Sequence, residues 1–311
     1  MKNHIRIFYL LPIILLMWGA GCSLSNPPAP ATPTSPPIET TAPDEAPTEP
    51  APEPTATEVV ELAATVNGEG IRKSSFDASL LQLQAALNTY PDRLPSDQTP
   101  QDAVIEQLVY RALLAQAARA AGFDLTIEMV DQRLTQINNS LGGEDALNTW
   151  LSENGYTLES FRYELGVEIE AAWQRDQITA AVPETAEQVR AQQILFYDSF
   201  QATRAHDQLN AGFPFEQIAA NSDPEKLGYL GWFPRGFLLF PQLENAAFSL
   251  SSGQYSEVIE TEAGYHILYV FEKDAAHPLS SEARLVLQEK AVADWLAQQR
   301  SQSQIDLLLT P

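Results

Sequence analysis

Few side chains in this 311-residue chain have the type and company that chemistry requires. There is one cysteine, Cys22, so no intrachain disulfide can form and no cysteine-built zinc or iron–sulfur site can be assembled. The four histidines, His4, His206, His266 and His277, are scattered instead of falling at ligand spacing. Glu153 with Glu159, and Asp44 beside Glu45, read as solvated charge, and no carboxylate pair stands out as a catalytic dyad. No metal and no cofactor is expected. Lys plus Arg is 18 against 41 for Asp plus Glu, a formal charge of −23. A surface that negative repels phosphate backbones, which excludes nucleic acid as a partner.

Cys22 sits in an informative context. Lys2 and Arg6 precede an apolar run from Ile7 to Trp18, too short for a comfortable membrane span, and Gly19-Ala20-Gly21-Cys22 follows. The order basic, apolar, small is that of a secretory signal peptide. Small residues ahead of a cysteine resemble a bacterial lipobox, although Gly19 stands where that pattern usually has leucine. The resemblance implies that residues 1–21 are a lipoprotein signal peptide and that Cys22 is lipidated. Each buried acyl methylene then contributes about 0.8 kcal/mol to anchoring.

Ser23 to Glu58 holds eleven of the 22 prolines and no Gly, Lys or Arg. Such a composition cannot bury apolar surface and favours polyproline II, so 22–58 reads as a disordered Pro/Thr/Glu-rich tether. At about 3.1 Å per residue it would hold a domain up to roughly 110 Å from a bilayer.

The remaining chain is long enough for a real core, and its 44% hydrophobic share excludes full disorder. Ala63 to Asn67 reads as a strand followed by a turn. Ser74-Ser75 caps a helix from about Phe76 to Tyr90, and Pro91 to Pro100 is a loop. Helical periods follow over Asp102–Ala121, from Thr126 to Gly142, over Ala146–Glu153 and over Leu158–Ala181. The period then changes. Val189–Phe196 is a strand, Gln201–Ala211 and Phe215–Ala220 are helices, and Leu227–Phe233 is Gly-rich and aromatic. Leu243–Leu250 is a short helix, and Val258–Thr261 and Tyr265–Glu272 are strands about a turn. A last helix covers Ser281–Gln302, and Ile305–Leu309 is placed to pair with Thr65-Val66.

Two sets of motifs resemble known families. ATVNGEGIRKSSFDASL, AAGFDLTIEMVDQRL and GGEDALNTWLSENGYTLESFRYEL look like the N-terminal chaperone domain of SurA- and PrsA-type foldases. AQQILF, AGFPFEQIAANSD, LGYLGWFPRG and LENAAFSLSSGQYSEVIETEAGYHILYVFE resemble the parvulin (PpiC, rotamase) domain. Together they imply an α+β chain. Its discontinuous all-α SurA-like body is made of 59–182 plus 278–311, and a parvulin-like domain with a small, mainly antiparallel sheet is inserted at 185–274.

The resemblance also implies the activity, cis/trans isomerisation of X–Pro bonds, which needs no cofactor. It places the proline-ring pocket at Leu230, Leu238 or Leu239, Leu243 and Phe248, with Trp232 on the neighbouring turn. The polar positions fall on His266, Thr261, Gln193 and Asp223. Here the chain departs from the family. Gln193 replaces the histidine that usually opens the first strand, and Ser222-Asp223 is followed by Pro224 where Cys or Asp is usual. A Gln193–His266 pair preserves geometry without a second titrating ring, because glutamine carries both a donor and an acceptor. His206 and His277 read as surface residues. The implied function is a lipid-anchored extracytoplasmic foldase. Its partners are unfolded or proline-containing exported polypeptides, and the membrane through Cys22. The alternative is a non-catalytic chaperone or binding lipoprotein with a degenerate parvulin domain.

Overall fold

The computed structural model describes residues 60–222 and 227–309. The signal peptide, Cys22, the tether and Asp223 lie outside the described residues. The fold is α+β, and every strand pairing in it is antiparallel. Among the described residues no helix is long and apolar enough to cross a membrane.

The chain packs as two compact units. Among the described residues, the first contains 60–108, Asp131–Glu164 and 305–309. It opens with β1 (Leu62–Val66) and β2 (Glu69–Arg72), joined by a tight turn at Asn67-Gly68. Strand β7 (Ile305–Leu307) pairs with the other edge of β1, Ile305 facing Val66, to give the order β2-β1-β7. The helical body thus carries a small sheet.

Helix α1 (Lys73–Thr89) begins before Ser74 and Ser75, and its N-cap is Arg72, with no side-chain cap bond. The two serines are therefore not caps. Ser75 points inward and its hydroxyl donates to the buried carboxylate of Glu164. Deeper in the unit, Gln82 donates to the Tyr156 hydroxyl at 3.2 Å, and Trp150, Tyr156 and Phe161 form an aromatic knot. Helices α2 (Pro100–Ala120), α3 (Ile127–Leu141), α4 (Glu144–Glu153) and α5 (Leu158–Ala180) follow the expected periods.

The second unit contains Val109–Val130 and Leu165–Gln304. Its sheet has the order β4-β3-β6-β5, from β3 (Thr185–Phe196), β4 (Tyr229–Pro234), β5 (Ile259–Thr261) and β6 (Gly264–Pro278). Strands β3 and β6 outrun the apolar pattern because their outer ends pair with each other, Thr185 opposite Pro278. There the buried Gln188 amide donates to the carbonyls of His277 and Pro278, at 2.8 and 3.1 Å.

One face of the sheet is covered by α6 (Ser199–Asn210) and α7 (Phe215–Ser222), through Ile194, Ile267, Leu209, Phe215 and Ile218. The other is covered by α8 (Pro241–Ser249), through Val189, Phe233, Leu243, Phe248 and Leu268. Helix α9 (Ser281–Gln302) is capped by the Ser280 hydroxyl, and its Leu296 packs with Leu114 of α2 and Ala171 of α5.

Candidate active site

Strand alternation decides which side chains can meet. Gln193 and His266 share the α8 face of the sheet with Val189, Ala191, Leu268 and Val270, since Gln193 faces Leu268 and Leu195 faces His266 in the β3–β6 ladder. Their neighbours Ile194 and Ile267 go to the opposite face. Strand β5 lies beside β6 with Ile259 opposite His266, and the Glu262-Ala263 turn returns Thr261 over the ring.

The three polar side chains form one chain. His266 Nδ1 lies 3.0 Å from Gln193 Oε1, and Thr261 Oγ1 lies 2.8 Å from His266 Nε2. With the glutamine oxygen toward the ring, Nδ1–H donates to it and the threonine hydroxyl donates to Nε2. The Ala263 N–H fills the acceptor side of that hydroxyl at 3.1 Å. His266 is 2% exposed, and burial pushes its pKa below the usual histidine value because desolvation disfavours the imidazolium. The neutral ring has a partner at each nitrogen. Gln193 and Thr261 are half-buried, so they connect the ring to the surface.

Gln193 is fixed by its own backbone. Its N–H donates to the Gly228 carbonyl at 2.9 Å. Residue 228 has φ +68, and a Cβ there would stand 1.9 Å from the Gln193 carbonyl oxygen, so only glycine permits this approach.

The apolar part lies on the same face. Leu243 and Phe248 are buried with Phe233 and Leu268, while Leu230 and Leu238 are half-buried against them. Phe240 joins the two parts: it packs on this cluster and its ring centroid is 6.1 Å from that of His266. Phe240 was not anticipated. Its one signal is an aromatic side chain immediately ahead of Pro241, the first residue of α8. Phe248 is closed in on two sides, by the Phe233 ring edge and by the Arg235 guanidinium 4.0 Å above its own ring. It therefore belongs to the wall of the site.

Two expected members fall elsewhere. In the β3–β4 ladder Ala191 faces Gly231 and Gln192 faces Tyr229, so Leu230 is the extra residue of a bulge. The bulge turns Leu230 toward the α8 face along with Phe233, whereas Trp232, next to Phe233 in the regular part of the strand, alternates to the other face. There Trp232 stacks on His277, with ring centroids 4.1 Å apart. Leu239 is 85% exposed and takes no part in the cluster, so Leu238 fills the position that the sequence left open between them. His206 and His277 are half-buried rather than surface residues, His206 lying 3.3 Å from Glu257 and against the edge of Tyr255. Among the described residues no cluster of His, Cys, Asp or Glu could hold a metal ion.

Two family models match the chain. Residues 177–272 match the PPIC-type PPIase domain and residues 53–172 the SurA-like N-terminal domain. The chain therefore carries a parvulin-type PPIase domain and a SurA-like N-terminal domain. Foldase protein PrsA of Halalkalibacterium halodurans is 26% identical over 67% of this chain and 66% of its own length. Foldase protein PrsA 2 of Bacillus cereus is 31% identical over 34% of this chain and 40% of its own. The chain thus spans about two thirds of the first relative and two fifths of the second. The crystal structure of the peptidylprolyl isomerase PrsA from Bacillus cereus aligns over 78% of this chain and 86% of that one, at 22% identity and a TM-score of 0.43.

Proposed function

We propose that this protein is an extracytoplasmic, lipid-anchored foldase that isomerises X–Pro bonds in exported polypeptides. The carrying observation is the Gln193–His266–Thr261 chain set beside the aliphatic surface of Leu230, Leu238 and Leu243. Uncatalysed rotation faces a barrier of about 18–20 kcal/mol because the planar amide is resonance-stabilised. The twisted form has lost that resonance. An aliphatic seat for the proline ring favours it by withdrawing the water that solvates the planar, polar amide.

Gln193 supplies the polar contribution. Its Oε1 is engaged by His266, which leaves the Nε2 hydrogens to donate to the prolyl amide as its charge redistributes. At 2% exposure His266 acts from beneath, as a positioning residue that aims Gln193 and Thr261. Asp223, a further polar position by resemblance to the family, lies outside the described residues. The body is proposed as 59–182 plus 278–311, supported by the β1–β7 pairing and by Leu296 packing with Leu114 and Ala171. The signal-peptide order and Cys22 support export and anchoring.

The test is exchange NMR on an Ala-Pro peptide with the full chain. Faster cis/trans exchange, reduced by Gln193→Ala, is the expected result. Peptide binding with no rate increase would replace this reading by the non-catalytic chaperone, which the substitution of histidine by Gln193 favours. Cys22→Ser should move the protein out of the membrane fraction, and continued sedimentation with membranes would end the lipidation proposal.

A further inference from the structure

The loop between β4 and α8, residues 235–240, carries Leu238 and Phe240, and its shape is imposed by a side chain that the proline site does not otherwise use. Glu244 lies in the first turn and a half of α8 and its carboxylate folds back over the loop. Oxygen Oε2 accepts three successive backbone N–H groups, from Gly236 at 2.7 Å, Phe237 at 3.1 Å and Leu238 at 3.4 Å. Consecutive N–H groups converging on one anionic oxygen form a nest, and charge-assisted bonds of this kind are the strong ones. Residue 236 has φ +86, which places its N–H in that arc and favours glycine.

The outer side of the loop is also held. A Cβ on Gly236 would meet the Lys290 side chain at 3.0 Å and Leu287 at 3.5 Å, so helix α9 lies directly against the loop. Next in sequence to Glu244 is Leu243, buried in the cluster on which Leu238 and Phe240 pack. One turn of α8 thus supplies an apolar anchor and the anion that holds the loop's backbone over it. A glutamate used only for solubility would not fold back onto three amides.

Resting on the isomerase reading, we propose that Glu244 is a positioning residue for proline binding, holding Leu238 and Phe240 in place through the backbone of residues 236–238. While Leu230 and Leu243 still exclude water, the contact that Leu238 and Phe240 add to the proline ring is made equally in the planar and twisted forms. Its loss is therefore a loss of uniform binding, which raises KM and leaves kcat nearly unchanged.

The experiment measures exchange rates of an Ala-Pro peptide at several concentrations with full-length wild type, Glu244→Gln and Glu244→Ala, each shown to be folded by circular dichroism at the assay temperature. Glu244→Ala is expected to raise KM about tenfold with kcat within about twofold of wild type. Glu244→Gln keeps a neutral acceptor at the same reach and should rescue most of that loss. The amide resonances of Gly236, Phe237 and Leu238 should shift most in the alanine variant. Should Glu244→Ala not fold, the comparison rests on Glu244→Gln, with a KM rise of about two- to threefold. Shifted loop amides with an unchanged KM would overturn the proposal, as would a fall in kcat alone. A wild-type chain that fails to accelerate exchange would overturn the isomerase reading itself, an outcome visible before any substitution is made.

Discussion

The two faces of the β4-β3-β6-β5 sheet carry similar residues to different ends. On the α8 face a glutamine, Gln193, meets a buried histidine and has a further donor at its disposal. On the α6/α7 face its neighbour Gln192 is 0% exposed, donates to the Leu227 carbonyl, and has no partner for its Oε1 among the described residues. The first face is covered by one short helix and a loop that leave Leu230, Leu238 and Phe240 half-buried. The second is covered by two helices bearing Leu209, Phe215 and Ile218. Incomplete cover, more than residue type, makes the first face a candidate site, because a substrate needs apolar surface that the chain has not already used.

The largest effect that could break this contrast comes from truncating one leucine on each face. Leu243→Ala and Leu209→Ala should each destabilise by about 2–5 kcal/mol, since both side chains are buried. Only Leu243→Ala should also lower kcat/KM for an Ala-Pro peptide when both are assayed well below their melting temperatures. Equal activity losses from the two would erase the functional difference between the faces.

A smaller effect separates the two polar groups. His266→Leu strands Gln193 and Thr261, and should cost about 1–3 kcal/mol and much of the rate. Gln192→Met removes an amide whose oxygen already lacks a partner. Because it also gives up the bond to the Leu227 carbonyl, it should cost about 1 kcal/mol or less in chemical denaturation, below His266→Leu, and leave exchange rates unchanged. A stability loss for Gln192→Met as large as that for His266→Leu would mean that Gln192 is bonded as fully as its neighbour.

Titration sharpens the same point. Folded His266 has a lowered pKa and the unfolded ring titrates near 6.5, so the unfolded state binds the proton more readily. The stability it supports is complete above about pH 6.5 and declines as pH falls from there toward the folded value, by at most about 1.4 kcal/mol per unit. Urea unfolding at pH 7.5 and 5.5 should therefore show a larger drop for wild type than for His266→Leu, the many carboxylates cancelling in the comparison. Identical drops would place the ring in water.

The smallest effect concerns Trp232. Its stacking on His277 should be worth about 0.5–1.5 kcal/mol, so Trp232→Ala should lower the melting temperature slightly and leave KM for the peptide unchanged. A raised KM would return Trp232 to the proline site.

The helices were legible in the sequence because apolar spacing is a local property of the chain. Thr126 onward and Ser281–Gln302 already show the 3.6-residue period that the structure displays in α3 and α9. The motifs likewise marked His266, Thr261, Leu230 and Leu243 without coordinates. What the sequence could not carry is anything that depends on a neighbouring strand or loop. The bulge that turns Leu230 inward exists only in the pairing of β4 with β3. Ser75 looks like a helix cap until Glu164, 89 residues away, is brought to its hydroxyl. The choice of Leu238 over Leu239 rests on a loop wrapped around the Glu244 carboxylate. Periodicity is set by each residue's own backbone geometry, whereas register, facing and closure are set by partners distant in sequence. The chain therefore specified its helices and the types of group in the site, and tertiary packing decided which of those groups meet.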